Sequence, residues 1–178
     1  MALSADLLDC HHVAVFTRSF AEITEPFEAV EKVFLRSPRT WLPDAPVSGS
    51  QPGLDAGEIE VHIGAAGLTK KVQITFGQPS RRPTKTSIPV SWHATGPSSL
   101  FPQLEGILEI SNFGPRETLL VLMAEYQPPL GGLGEILDDA LLHRVAWATV
   151  SAFRDGVAKS LAQLAHSQPS PPVNQEQP

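Results

Sequence analysis

The chain carries a single cysteine, Cys10, among 178 residues, so no internal disulfide can hold it together. Stability has to come from apolar burial, which a chain of this length can supply as one domain. The lone thiol suits a reducing compartment, and MALSADLLDC shows no charged start leading into an apolar run and a cleavage site. The expected location is therefore the cytoplasm. No segment approaches the ~18 uncharged apolar residues that a membrane-spanning helix requires, so membrane insertion is not expected. Basic residues are scarce as well: 13 lysines and arginines stand against 19 acidic residues, for a net charge of −6. That balance argues against nucleic acid as a partner, because phosphate neutralisation needs clustered cations.

Sequence signals for chemistry are equally thin. There is no G-x-S-x-G elbow, and Cys10 has no defined base partner, so nucleophilic catalysis has no support. Asp9, Cys10, His11 and His12 lie together, but neighbours on a strand point to opposite sides and the other histidines, at 62, 93, 143 and 166, are isolated. Neither a metal nor an organic cofactor is expected. Five basic residues do gather in KKVQITFGQPSRRPTK, residues 70–85: Lys70, Lys71, Arg81, Arg82 and Lys85. On an exposed hairpin such side chains are solvated and discourage edge pairing. The alternative is an anionic headgroup or an acidic partner.

What is present is pattern. Residues 12–20 are apolar and β-branched enough for a strand, and a helix signal follows in which Thr24 is a candidate N-cap, Pro26 sits in the first turn, and Phe27, Val30, Val33 and Phe34 share a face. Ser37-Pro38 ends that helix, RTWLP allows a second short one, and residues 43–57 read as a loop. Period-two alternation then recurs. EIEVHI puts Ile59, Val61 and Ile63 on one side, KKVQITF does the same with Val72, Ile74 and Phe76, and TSIPVSWHA with Ile88, Val90 and Trp92. LEGILEISNF adds Leu104, Leu108 and Ile110, and RETLLVLMAEY is apolar on both faces. Strands in succession without intervening helices imply an antiparallel meander.

A helix is expected over residues 133–165, with Ile136, Ala140, His143, Ala146, Trp147, Val150, Phe153, Val157, Leu161 and Leu164 forming one broad stripe at ~100° per residue. Its front half is also apolar behind, at Leu137, Leu141 and Val145, a face that a second subunit can cover. The link into this helix is EYQPPLGGLGEILDD, residues 125–139. Gly132 and Gly134 match the start of G-x-G-x-x-G, but position 137 is leucine, the turn carries no lysine, and no second βαβ unit follows. A structural corner explains it better. Pro128 and Pro129 cannot donate to a ladder and end the strand, the glycines allow a sharp turn, and Glu135, Asp138 and Asp139 suit a helix start. The tail SQPSPPVNQEQP, residues 167–178, has little to bury and is expected to be disordered. The domain then spans 12–166, after a partly flexible segment at 1–11.

This order, carried by ITEPFEAVEKVF with RTWLP and by TLLVLMAEYQPPLGGLGEILDDALLHRVAWATVSAF, resembles the SRPBCC or START-like helix-grip superfamily, and within it actinobacterial members most. The resemblance implies an α+β fold: a curved antiparallel sheet of about six or seven strands wrapped around the long C-terminal helix, with two short helices after the first strand. It also implies an apolar cavity between sheet and helix, and no universal catalytic motif. The function expected on this basis is binding of a hydrophobic or aromatic small molecule, lipid- or polyketide-like. Phe76, Trp92, Leu108, Ile110, Tyr126, Ile136, Ala140, His143 and Trp147 are the candidate lining residues. Each is equally at home as core. His143 and Tyr126 are the acid and base of the alternative reading, a cyclase or dehydratase on a polyketide-like substrate. Arg154 either anchors a ligand carboxylate or reaches outward. A homodimer or partner contact through the apolar back of the helix is the third reading.

Overall fold

The computed structural model describes residues 15–42, 55–63, 68–94, 103–127 and 139–168. In chain order the elements are β1 (Val15–Ile23), α1 (Phe27–Phe34), a single 3-10 turn (Pro38–Thr40), β2 (Asp55–Ile63), β3 (Leu68–Phe76), β4 (Ser80–Arg82), β5 (Lys85–Ala94), β6 (Gln103–Gly114), β7 (Glu117–Gln127) and α2 (Asp139–His166). The proline-glycine corner at 128–138, the segment 1–11 with its cysteine and histidines, and residues 169–178 of the tail lie outside the described residues.

All the pairings are antiparallel, in the order β1-β7-β6-β5-β3-β2, with the short β4 added beside β5. Alternation dictates which side is dry. Val72, Ile74 and Phe76, then Ile88, Val90 and Trp92, then Leu104, Leu108 and Ile110, and finally Leu120, Leu122 and Ala124 are all buried on the inner face. Against that face pack α1, through Phe27, Val30, Val33 and Phe34, and α2, through Val150, Phe153, Val157 and Leu161. The stripe read from the sequence is thus the buried face of α2 from Val150 onward.

Three local features position the layers. Gly106 lies where β6 approaches β7 so closely that a Cβ would come within 2.4 Å of the Met123 carbonyl oxygen. Pro89 sits inside β5, yet its carbonyl accepts from the Gly77 N–H at 2.9 Å, so its ring nitrogen faces the same side, where β3 has just ended and no ladder bond is lost. Trp41, after the 3-10 turn, is fully buried, stacks on Phe34 at 5.4 Å, meets Phe76 edge-on at 5.5 Å and donates its indole N–H to the Phe34 carbonyl.

One boundary differs from the sequence reading. Thr24 does not cap α1; Pro26 occupies the N-cap position with an extended backbone, and its carbonyl receives the N–H groups of Ala29 and Val30. Thr24 lies in the bend before it.

Candidate functional site

The register separates two ends of the inner face. Thr86 pairs with Ile110 and Ile88 with Leu108, and Thr86 donates to Glu31 of α1, so Leu108 and Ile110 lie in the rows beneath α1. Trp92 pairs with Ile74 on one side and Leu104 on the other, and Leu104 in turn with Tyr126. Trp92 lies six positions along β5 from Thr86, ~20 Å of strand. The candidates therefore divide into a packed group under α1 and a second group at the far end, where the indole of Trp92 meets Phe153 of α2 at 5.1 Å in a T-shaped contact. Phe76, one row from Trp92, leans back toward the first group through its contact with Trp41.

Trp92 is only 2% exposed, and its Nε1–H has no hydrogen-bond partner among the described residues. Buried indole N–H groups ordinarily find an acceptor, because an unpaired donor forfeits ~1–3 kcal/mol of hydration. The buried Ser151 hydroxyl likewise has no partner among the described residues, but it stands ~160° around the helix from Phe153 and does not converge with the indole. Tyr126 joins the Trp92 row by backbone register, and Ala140 and His143 fall in the first turns of α2; the side chains of all three lie outside the described residues, as does Ile136 altogether.

Trp147 requires a correction. The sequence places it on the sheet-facing stripe beside Trp92, whereas the indole is 62% exposed. Counted from Val157 it stands ~80° off the line of burial, on the flank above the edge strand. Ala158 on that flank is small enough to be covered; an indole projects past the edge. Arg154 shares the flank and reaches β1: Nη1 donates to Ser19 Oγ at 2.6 Å and to the Phe20 carbonyl at 2.8 Å, while Nε donates to Asp155 at 2.9 Å.

The basic cluster of residues 70–85 is largely tied up in pairs. Arg81 grips Glu31 through two hydrogen bonds of 2.9 and 3.1 Å, and Lys85 donates to Glu109 at 2.9 Å. The Arg81 guanidinium holds the Glu31 carboxyl below the usual carboxylate range; burial opposes this and the Thr86 hydroxyl adds to it. Neither these ion pairs nor the Arg154 clamp were visible from spacing, since their partners stand 50, 24 and 135 positions apart in sequence.

Two open depressions lie elsewhere. A cleft of about 220 Å³ runs between the end of α1 and the β3–β4 link, lined by Phe34, Arg36, Pro38, Phe76, Gln78 and Pro79. A groove of about 550 Å³ follows the end of β1 along α2, past Ile23, Ala158 and Ala162 to the Glu25–His166 pair at 2.9 Å. Among the described residues no three histidine, cysteine or carboxylate side chains gather as a metal site, and no helix is long and apolar enough to cross a membrane.

An open, curved antiparallel sheet gripping a long C-terminal helix, with one short α-helix and a 3-10 turn after the first strand, is the helix-grip fold seen in START-like proteins. The chain is similar in structure to the Zhui aromatase/cyclase from Streptomyces sp. R1128, with a TM-score of 0.60 and 15% identity over 86% of this chain and 94% of that one. It is similar also to a START superfamily protein from Mycobacterium smegmatis, at 0.54 and 14% over 85% and 97%, and to the lipid transfer and protein localization domain of human StarD13, at 0.51 and 10% over 82% and 76%. The sequence matches no protein-family model and none of the curated proteins.

Proposed function

We propose that this protein binds an apolar or aromatic small molecule between the sheet and the first half of α2, with the Trp92 N–H as its polar anchor. The observation that carries the reading is that buried, unpaired donor at the end of the interface away from α1. A ligand that buries ~200 Å² of apolar surface there gains about 5 kcal/mol from leaving water, and one acceptor placed on Nε1 fixes its orientation. Two proteins of the same fold, one named as an aromatase/cyclase and one as a lipid transfer domain, support a ligand of hydrophobic character. The single cysteine keeps the cytoplasm as the proposed location.

Native mass spectrometry of freshly purified protein tests the reading. A co-purified small molecule, or saturable binding of a fluorescent naphthalene sulfonate probe, is expected. Trp92→Phe keeps the ring contact with Phe153 and removes the donor, so affinity should fall by the ~0.5–1.5 kcal/mol of one hydrogen bond, roughly 2- to 13-fold, in a variant with native near-ultraviolet dichroism. Unchanged affinity, or a protein that neither carries nor binds any such molecule, would overturn it. Should the native protein convert its bound compound while His143→Gln binds it unchanged, the molecule is a cyclase or dehydratase using His143, and carriage is the wrong description.

A further inference from the structure

β1 closes the sheet at one side, and the edge there carries aromatic side chains on both slopes. On the outer slope Phe16 and Phe20 are 69% and 63% exposed; on the other, past the edge, stands the Trp147 indole of α2 at 62%. α2 runs beside β1 in the same direction, since Arg154 reaches Ser19 and Phe20 while His166, further on, meets Glu25. Trp147 precedes Arg154 by two turns on one flank, ~10 Å, a distance that ~3 residues of strand cover. The indole therefore stands near the level of Thr17 and Phe16. Large aromatics exposed together along one edge exceed the scattered apolar residues of an ordinary surface.

Position and charge say what fits this ridge. It lies at the Trp92 end of the molecule: Trp92 pairs with Leu104, Leu104 with Tyr126, and Tyr126 with Val15, the residue before Phe16. Apolar groups on two slopes of an edge give a rigid partner no single flat patch, whereas lipid headgroups part around a protrusion. Indole and phenyl rings on such a ridge settle at the bilayer interface. The charges beside them are mixed. Arg18 stands between the phenylalanines and Arg144 one turn before Trp147, while Glu125 pairs with Phe16 across the ladder and Glu22 follows Phe20 on the outer slope. None of these exposed groups has an ion-pair partner among the described residues. Cations interleaved with carboxylates match a headgroup that itself carries a phosphate and a quaternary ammonium, and the net charge of −6 weighs against a strongly anionic surface.

We propose that the β1 edge is a docking ridge for a zwitterionic phospholipid bilayer, with Phe16, Phe20 and Trp147 seated among the headgroups and Arg18 and Arg144 on phosphates. A few rings at the interface give reversible, surface-level attachment. The docking stands on the ridge alone; that the apolar ligand enters from the bilayer, at the adjoining Trp92 end, rests on the reading given under the proposed function.

Co-sedimentation of the full chain with phosphatidylcholine vesicles over a lipid titration supplies the test. The native chain should partition saturably, and its tryptophan emission should shift to the blue, a signal that belongs to Trp147 because Trp41 and Trp92 are already buried. Trp147→Ala and Phe20→Asp should each lower the partition constant about 10-fold or more, as expected for one aromatic side chain lost from the interface. Both positions are exposed, so each variant should melt as the native chain does. Trp92→Phe should leave partition into vesicles unchanged while weakening ligand binding, so failure of the docking and failure of the ligand reading are told apart. A native chain that stays in the supernatant, or a partition indifferent to Trp147→Ala, would overturn the proposal. Binding that needs phosphatidylserine and vanishes with added salt would do the same, assigning the contact to the basic residues of 70–85. So would self-association without vesicle binding that Phe20→Asp abolishes, which would give the ridge to a second copy.

Discussion

The Glu31 carboxylate answers to two groups at once, the Arg81 guanidinium and the Thr86 hydroxyl at 2.5 Å. Its carboxyl is held below the ordinary range, so the unfolded chain binds its proton at a higher pH than the folded one does. The contribution is therefore complete above the unfolded value of ~4.3 and is lost as pH falls through the lower, folded value. Glu31→Gln removes the charge and keeps the shape. At neutral pH it should lower stability by about 1 kcal/mol, the net worth of a hydrogen bond with a charged partner discounted for the exposure of Arg81, and urea titrations should show the gap to the native protein closing at acid pH. A gap that stays constant from neutrality to acid would mean that packing, and not ionisation, sets the effect.

Strands and helices depend on residues that sequence spacing does not single out. Gly106 lets β6 and β7 close up, and Ala there would press on the backbone of Met123, which cannot yield as a side chain can. Gly106→Ala should cost ~1–3 kcal/mol by overpacking, whereas at Gly114 the added methyl meets only the flexible Glu117 side chain at 3.1 Å and Gly114→Ala should be nearly neutral. Equal urea midpoints for the two variants would refute this account. Arg154 joins α2 to β1, and Arg154→Ala leaves the buried Ser19 hydroxyl without that donor, so a loss of ~1–3 kcal/mol is expected in the same titration. Such dependence explains what could be read in advance. Strands with period-two faces, such as Val72, Ile74 and Phe76, were legible because alternation is a local signal. So was the buried stripe of α2 from Val150 to Leu161. Trp147 was not, because its exposure is set by where the sheet ends beneath the helix, a fact held by β1 far away in sequence. The Trp92 end of the candidate site was legible as an apolar face, and its unpaired donor only from the assembled core.

For the molecule as a whole, the strand order matters in time as well as in space. Among the described residues β1 joins the sheet only through β7: Val15 pairs with Tyr126 and Ile23 with Thr118. A chain made from its amino end exposes β1 before β7 and supplies the matching strand only after all the intervening strands. Until then the two phenylalanines of β1 have no ladder to join, and the growing chain carries them as an unpaired, sticky segment of the kind chaperones attend to. Folding then hinges on closing the longest-range pairing of the sheet, which in antiparallel proteins rich in distant pairings takes ~milliseconds to seconds. Premature termination anywhere before Glu117 would leave β1 without its sheet partner and the inner face uncovered by α2, so a truncated product should be a substrate for proteolysis and not a smaller working protein.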